Sequence, residues 1–170
     1  MTTINGRACV VNGVPVDKVF SNGKQVYGRN LLSNSRGKFK PNRSVIDNSA
    51  IYFDSTVYMT KGQQYTMHAD ASSGLVWSGT HNTSVESNNV LLWLVKPPTI
   101  NVVVSDANTG TGTTFTWNSP SGTYYLRINT YKWDNSGYAE NVKLEQGDTA
   151  TPWTSAPEDV MSSRKENNHE

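Results

Sequence analysis

A single cysteine, Cys9, leaves this 170-residue chain without the means for an intrachain disulfide or a cysteine-based metal cage. Charge is scarce as well: Asp, Glu, Lys and Arg make up 17% of the residues and nearly cancel to +1. A partner held by bulk charge, whether nucleic acid or membrane surface, is not expected from that balance. No apolar run reaches the length of a membrane-spanning helix, so no membrane insertion is expected. The opening Met1-Thr-Thr-Ile-Asn-Gly has neither a basic stretch nor an apolar one, and does not read as a secretory signal. Helical periodicity is missing too; no long amphipathic stretch appears.

Short β-favouring runs broken by turn residues take its place, with Ser, Thr, Asn and Gly abundant. Residues 1–28 contain two Asn-Gly pairs, Asn12-Gly13 and Asn22-Gly23, each able to supply the positive φ of a tight hairpin. They read as a small three-stranded β-meander that attaches or oligomerises the chain, because alone it would be marginal. Residues 29–159 read as one β-sandwich. Its candidate strands are Ala50–Met59, Gln64–Ala71, Val90–Val95, Thr99–Val104, Thr113–Trp117, Gly122–Tyr131 and Tyr138–Glu145. The polar end, residues 160–170, is expected to be disordered or a short helix formed in an assembly.

Alternation assigns the faces, since side chains two apart point the same way. Tyr65, Met67 and Ala69 face a core, leaving Thr66, His68 and Asp70 opposite. Tyr124, Leu126 and Ile128 face inward, leaving Tyr125, Arg127, Asn129 and Tyr131. Val142 and Leu144 point inward as well. Leu91-Leu-Trp-Leu-Val is apolar on both sides and reads as a central strand.

Several segments resemble one family: Gly28-Arg-Asn-Leu-Leu, Gly62-Gln-Gln-Tyr-Thr-Met, Leu92-Trp-Leu-Val, Gly122-Thr-Tyr-Tyr-Leu-Arg-Ile-Asn, and the ending Lys143-Leu-Glu-Gln-Gly through Thr151-Pro-Trp-Thr-Ser-Ala-Pro-Glu-Asp. They look like the carbohydrate-binding-module-like domains of tail, baseplate and receptor-binding proteins from phages of Gram-positive bacteria. The resemblance covers residues 28–159, and its closing motif is the most specific part. It implies an all-β, jelly-roll-like sandwich of two antiparallel sheets. It further implies adhesion to host cell-wall saccharide, and association with other tail proteins on a virion. Residue-level sugar contacts do not carry over, because they vary within such domains. Within the resemblance, Trp153 is expected to plug the sandwich, and Arg29 and Asn30 to fix the entry of its first strand.

Sugar recognition needs flat rings for pyranose C–H faces and planar polar groups for paired hydroxyls. Trp77 and His81 lie in the long polar loop 72–89, and Tyr131 and Trp133 at a turn-rich strand end. Each loop Trp is either a ligand platform or a packed loop anchor. Trp93 and Trp117 lie within strands and are expected to pack. A face carrying His68, Asp70, Arg127 and Asn129 is a binding groove, a solvated surface with an Arg127–Asp70 pair, or a buried contact with another chain.

No nucleophile elbow, zinc helix or phosphate loop is present, and the acidic residues do not single out a catalytic pair. The expectation is a non-catalytic adhesion module without cofactor, displayed in several copies as a homo-oligomer so that weak sites combine. The resemblance leaves room for a structural calcium ion, as related sandwich modules often carry one, but the sequence offers only scattered Asp and backbone oxygens to hold it. The alternative is a purely structural tail component whose aromatics are packing.

Overall fold

The computed structural model describes residues 6–44, 49–72, 76–77, 89–96, 101–104, 113–130 and 137–166. Asn12 and Gly13 have φ of 51° and 79°, and Asn22 and Gly23 of 50° and 75°. Positive φ at both central positions is what a tight two-residue hairpin turn requires. The first turn joins β1 (Val10–Val11) to β2 (Val14–Pro15), and the second joins β3 (Lys18–Ser21) to β4 (Lys24–Gly28). The expected three-stranded meander is therefore two separate hairpins. Pro15 accounts for the break, because it has no N–H to offer a third strand. Val16 N donates to Cys9 O at 3.0 Å, closing the first hairpin before the chain turns away.

Ten further strands follow. They are β5 (Lys38–Phe39), β6 (Asn42–Arg43), β7 (Ala50–Met59), β8 (Gln64–Ala71), β9 (Val76–Trp77), β10 (Asn89–Lys96), β11 (Asn101–Val104), β12 (Thr113–Thr116), β13 (Gly122–Thr130) and β14 (Ala139–Gln146). One sheet runs β11-β10-β13-β7-β6, with β9 parallel to the start of β10; the other runs β12-β8-β14-β5. All pairings other than β9 with β10 are antiparallel. The chain changes sheet at β5 to β6, β7 to β8, β8 to β9, β11 to β12, β12 to β13 and β13 to β14. This is an all-β sandwich, as the alternation predicts, and β10 is a central strand.

The predicted inward sets of β8, β13 and β14 are all buried. They meet Phe53, Val57 and Met59 of β7 in one core cluster. Rings join the sheets, with Phe39 edge-on to Phe53 at 5.0 Å and Trp117 edge-on to Tyr124 at 4.5 Å. Trp117 is fully buried and donates from Nε1 to Pro120 O at 3.2 Å, so core packing holds for it. A bulge in β14 lets Ala139 and Val142, three apart, both face the core. The register shifts between Glu140 and Lys143, and Asn141 takes φ of 53°.

The closing motif seals the outer face of β14. Asn30, fully buried, donates from Nδ2 to Thr154 O (2.8 Å), Ser35 Oγ (2.9 Å) and Val142 O (3.3 Å). Its Oδ1 accepts from Leu32 N and Leu144 N. Trp153 donates from Nε1 to Val142 O at 3.1 Å, the plug expected of it. Arg29 ion-pairs with Asp17 and Glu158. Beyond the motif the chain forms α1 (Pro157–Glu166), the helical one of the two forms expected of the polar end, beginning three residues earlier than 160. Pro157 is preorganised for a first helical position. Glu158 and Asp159 suit the helix dipole there, and Asp159 accepts from Asn34 N at 3.0 Å.

Next to this seal lies a buried ionic cluster. Lys143 Nζ donates to Thr151 Oγ1 (2.7 Å) and Pro152 O (2.9 Å), with Glu145 Oε1 3.7 Å away. Burial is the largest influence on Lys143 and lowers its pKa from 10.5 to about 8, against the opposing pull of Glu145. The unfolded chain thus holds a proton that the folded chain has lost between about pH 8 and 10.5, so stability rises with pH across that window. Tyr27, its pKa raised chiefly by burial, opposes the trend only above its usual value near 10. Urea midpoints measured from neutral pH to 9.5 are expected to climb for the parent and to lose that climb in Lys143→Met.

Candidate functional site

A cleft of about 470 Å³ opens where the edge strands of the two sheets come together. On the four-stranded side it is lined by Lys38 and Phe39 of β5, followed by Lys40; on the six-stranded side by Asn42 of β6 and Tyr52 to Ser55 of β7; Ser33 and Asn34 complete it. Phe39, half-buried, borders it, and Tyr52 and Phe53, 3% and 5% exposed, close its floor as part of the core. Tyr52 reaches it through a bulge. β13 pairs Ile128 with Phe53 and Asn129 with Ile51, so Tyr52 is the extra residue.

The rim is polar and uncommitted. Asn34 accepts its φ of 57° as Asn does readily. Its backbone N–H is taken up by Asp159, while its side-chain amide has no bond to another described residue. The same holds for the side chains of Lys40, Asn42 and Asp54. Lys38 is held by Tyr138, whose hydroxyl accepts from Nζ at 3.3 Å and whose ring lies 4.4 Å below it. That hydrogen bond, with the charges of Tyr138 and Glu140, raises the Lys38 pKa. The cleft thus combines aromatic carbon with free amide, carboxylate and ammonium groups, the set that polyhydroxylated ligands use. A second hollow of about 460 Å³ is different. Gln63, Gln64, Thr116 and Gln146 line it without an aromatic ring, and Gln146 already donates to Gln63 at 2.6 Å.

The residues expected from sequence are divided by the fold. His68 and Asp70 stand on β8, on the outer face of the four-stranded sheet, with Nε2 and Oδ1 3.7 Å apart. Asn141 donates to Asp70 at 2.8 Å, and the register sets Asp70 beside Glu140. Arg127 and Asn129 stand on β13 in the other sheet. The single polar face and the Arg127–Asp70 pair are therefore corrected: the two sets lie on opposite outsides of the sandwich. Nor is the second set solvated, since Arg127 is 6% exposed and Asn129 is fully buried. Arg127 donates to Ser49 Oγ at 3.2 Å, and in register it stands between Asp54 of β7 and Trp93 of β10. Trp77 pairs by backbone with Val90, and its side chain lies outside the described residues, as do His81, Tyr131 and Trp133.

Sequence reasoning passed over the cleft residues. The available signal was Arg36-Gly-Lys-Phe-Lys-Pro-Asn-Arg43, four cations in eight residues of a chain otherwise sparing with charge. No protein-family model, curated protein or solved structure matches the chain.

Proposed function

We propose that this chain is a non-catalytic carbohydrate-binding adhesion module of a phage or prophage tail, which recognises host cell-wall polysaccharide from the edge cleft. The observation that carries the reading is the cleft itself. Phe39, Tyr52 and Phe53 line one hollow with Asn34, Asn42 and Asp54, whose side chains are left without partners among the described residues. The planar polar groups bond to hydroxyls, and Phe39, half-buried, is the ring that keeps surface for a sugar C–H face, Tyr52 and Phe53 being core residues. Asp54 is the one carboxylate among the described lining residues, whereas glycoside hydrolysis uses a pair. The phage assignment and the jelly-roll winding rest on the sequence resemblance.

The alternative is a purely structural tail component. Val11, Val14 and Phe20 of the N-terminal hairpins are 56%, 64% and 61% exposed, an apolar outside suited to assembly. In the adhesion reading the same hairpins hold copies together and supply avidity.

Cell labelling separates the two. The fluorescent parent, displayed multivalently, is expected to label intact Gram-positive cells, with purified wall polysaccharide competing. The Asn42→Ala variant removes an uncommitted amide and is expected to weaken labelling about fivefold, at about 1 kcal/mol per hydrogen bond. Loss in Trp77→Ala or Trp133→Ala, with the cleft variant unaffected, moves the site to the loops. No labelling across a broad host panel favours the structural component.

A further inference from the structure

The cleft lies in the most basic stretch of the chain. Arg36, Lys38, Lys40 and Arg43 fall within eight residues that contain no acid, and all four side chains are exposed. Lys38 and Lys40 both line the cleft. Two residues apart in extended chain, their Cα atoms stand about 7 Å from each other. Among the described residues, Arg36, Lys38 and Lys40 form no ion pair. Among the described residues the nearby acids are fewer and partly engaged: Asp159 is bonded to the Asn34 backbone, Glu140 acts on Lys38, and Asp54 is the one free carboxylate in the lining. This local excess contrasts with a net charge of +1 for the whole chain. Cations grouped at the mouth of a cleft raise the local concentration of anionic ligands far more than that of neutral ones.

Resting on the saccharide reading above, we infer that the edge cleft selects an anionic polysaccharide, one whose repeating unit carries a phosphodiester or a carboxylate beside its hydroxyls. Lys38 and Lys40 meet successive negative groups along the polymer, and the exposed Arg36 continues the basic stretch beside them. Asn34 and Asn42 bond to hydroxyls between the charges, and the half-buried Phe39 takes a sugar face. Asp54 opposes the anion, so it acts as a filter that limits how much charge the site accepts.

Binding to a glycerol-phosphate oligomer, to polygalacturonate, to neutral dextran and to polyglutamate, measured by calorimetry at low and tenfold higher salt, tests the inference. At least one anionic glycan is expected to bind, and which of the two does so identifies phosphate or carboxylate as the charge. Its affinity should fall about tenfold per neutralised charge over that rise in salt, the counterion release a polyanion shows. Lys38→Gln/Lys40→Gln should weaken binding and flatten the salt dependence, and Asp54→Asn should tighten it. All variants should keep the parent's circular dichroism and melting temperature. Dextran binding as tightly as the charged glycans, without salt dependence, overturns the anionic preference and leaves the saccharide reading standing. Polyglutamate binding as well as the glycans overturns the inference by showing mere polyanion attraction. Binding of none of the four overturns the anionic preference; whether the saccharide reading also falls is then decided by wall polysaccharide in the labelling assay.

Discussion

Asn30→Asp is expected to leave the chain largely unfolded at neutral pH and 37 °C. The change is one atom in size, so packing is preserved and chemistry decides the outcome. Nδ2 now donates to Thr154 O, Ser35 Oγ and Val142 O inside a site with no solvent exposure. A carboxylate has no proton for the two carbonyls and turns its own charge toward them. Each buried group left unsatisfied costs about 1–3 kcal/mol, and the buried charge costs more. A loss of about 4–5 kcal/mol is most of the stability of a marginal domain. The sign of the pH dependence distinguishes this cause from a general defect. The fold would favour the protonated acid, which restores one donor, so the aspartate pKa rises in the folded state. The penalty is then smallest below the ordinary aspartate value of about 3.9 and grows as pH rises. Urea midpoints of the variant should therefore improve on acidification relative to the parent. Asn42→Asp, at an exposed position, should change stability by less than about 0.5 kcal/mol.

Much of the sandwich was legible because alternation is a local signal. Ala50–Met59 and Gln64–Ala71 are strands with the bounds the pattern indicates, and the inward residues of three strands follow from period two alone. The strands missed are two residues long, β5, β6 and β9, too short for any period to show. Bulges were invisible for a related reason. Nothing local says that Asn141 takes a positive φ and lets Ala139 and Val142 share a face. A short helix was one of two readings of the polar end; its start at Pro157 carries an N-terminal signature, a proline followed by two acids, while its polar surface left the disordered tail equally open.

The site was less legible, because alternation says which side chains share a face of one strand and nothing of which strands share a sheet. β8 and β13 both present a polar set, and the chain's crossing between sheets sends those sets to opposite outsides. The cleft needs the edge of each sheet, brought together by β5 and β6 within a stretch that reads as coil. Asn34, Lys40, Asn42 and Asp54 carry no motif; only the clustering of cations could have drawn attention to them. Burial of Arg127 and Asn129 was unforeseeable in the same way, since a strand's outer face is read as solvated unless something covers it.

Gly28→Ala is the second large effect expected, and steric contact is its cause. Gly28 lies outside the left-handed region, so alanine can adopt its backbone. The added Cβ would stand 1.8 Å from Glu145 Oε2 and 2.9 Å from its Cδ, with Gln25 Nε2 at 3.1 Å. Glu145 cannot simply rotate away. Its Oε1 accepts from Thr151 N and its Oε2 from Thr151 Oγ1, both at 2.8 Å. That hydroxyl in turn accepts from Gly28 N at 3.0 Å and from Lys143 at 2.7 Å, so its one proton and its two acceptor directions are all in use. Moving the carboxylate therefore disturbs the N-terminal hairpin, the closing motif and β14 together. Overpacking costs about 1–3 kcal/mol and breaking a buried pair about 3–5, so a total near 4 kcal/mol is expected. For a domain of this size the melting temperature should fall by about 10 °C. A double-mutant cycle identifies the contact. Glu145→Asp withdraws the carboxylate by one methylene, so Gly28→Ala should cost at least about 1 kcal/mol less in that background than in the parent. Additive costs would mean that the alanine is felt elsewhere, and that the junction between hairpin and sandwich does not depend on the close approach of Gly28 to Glu145.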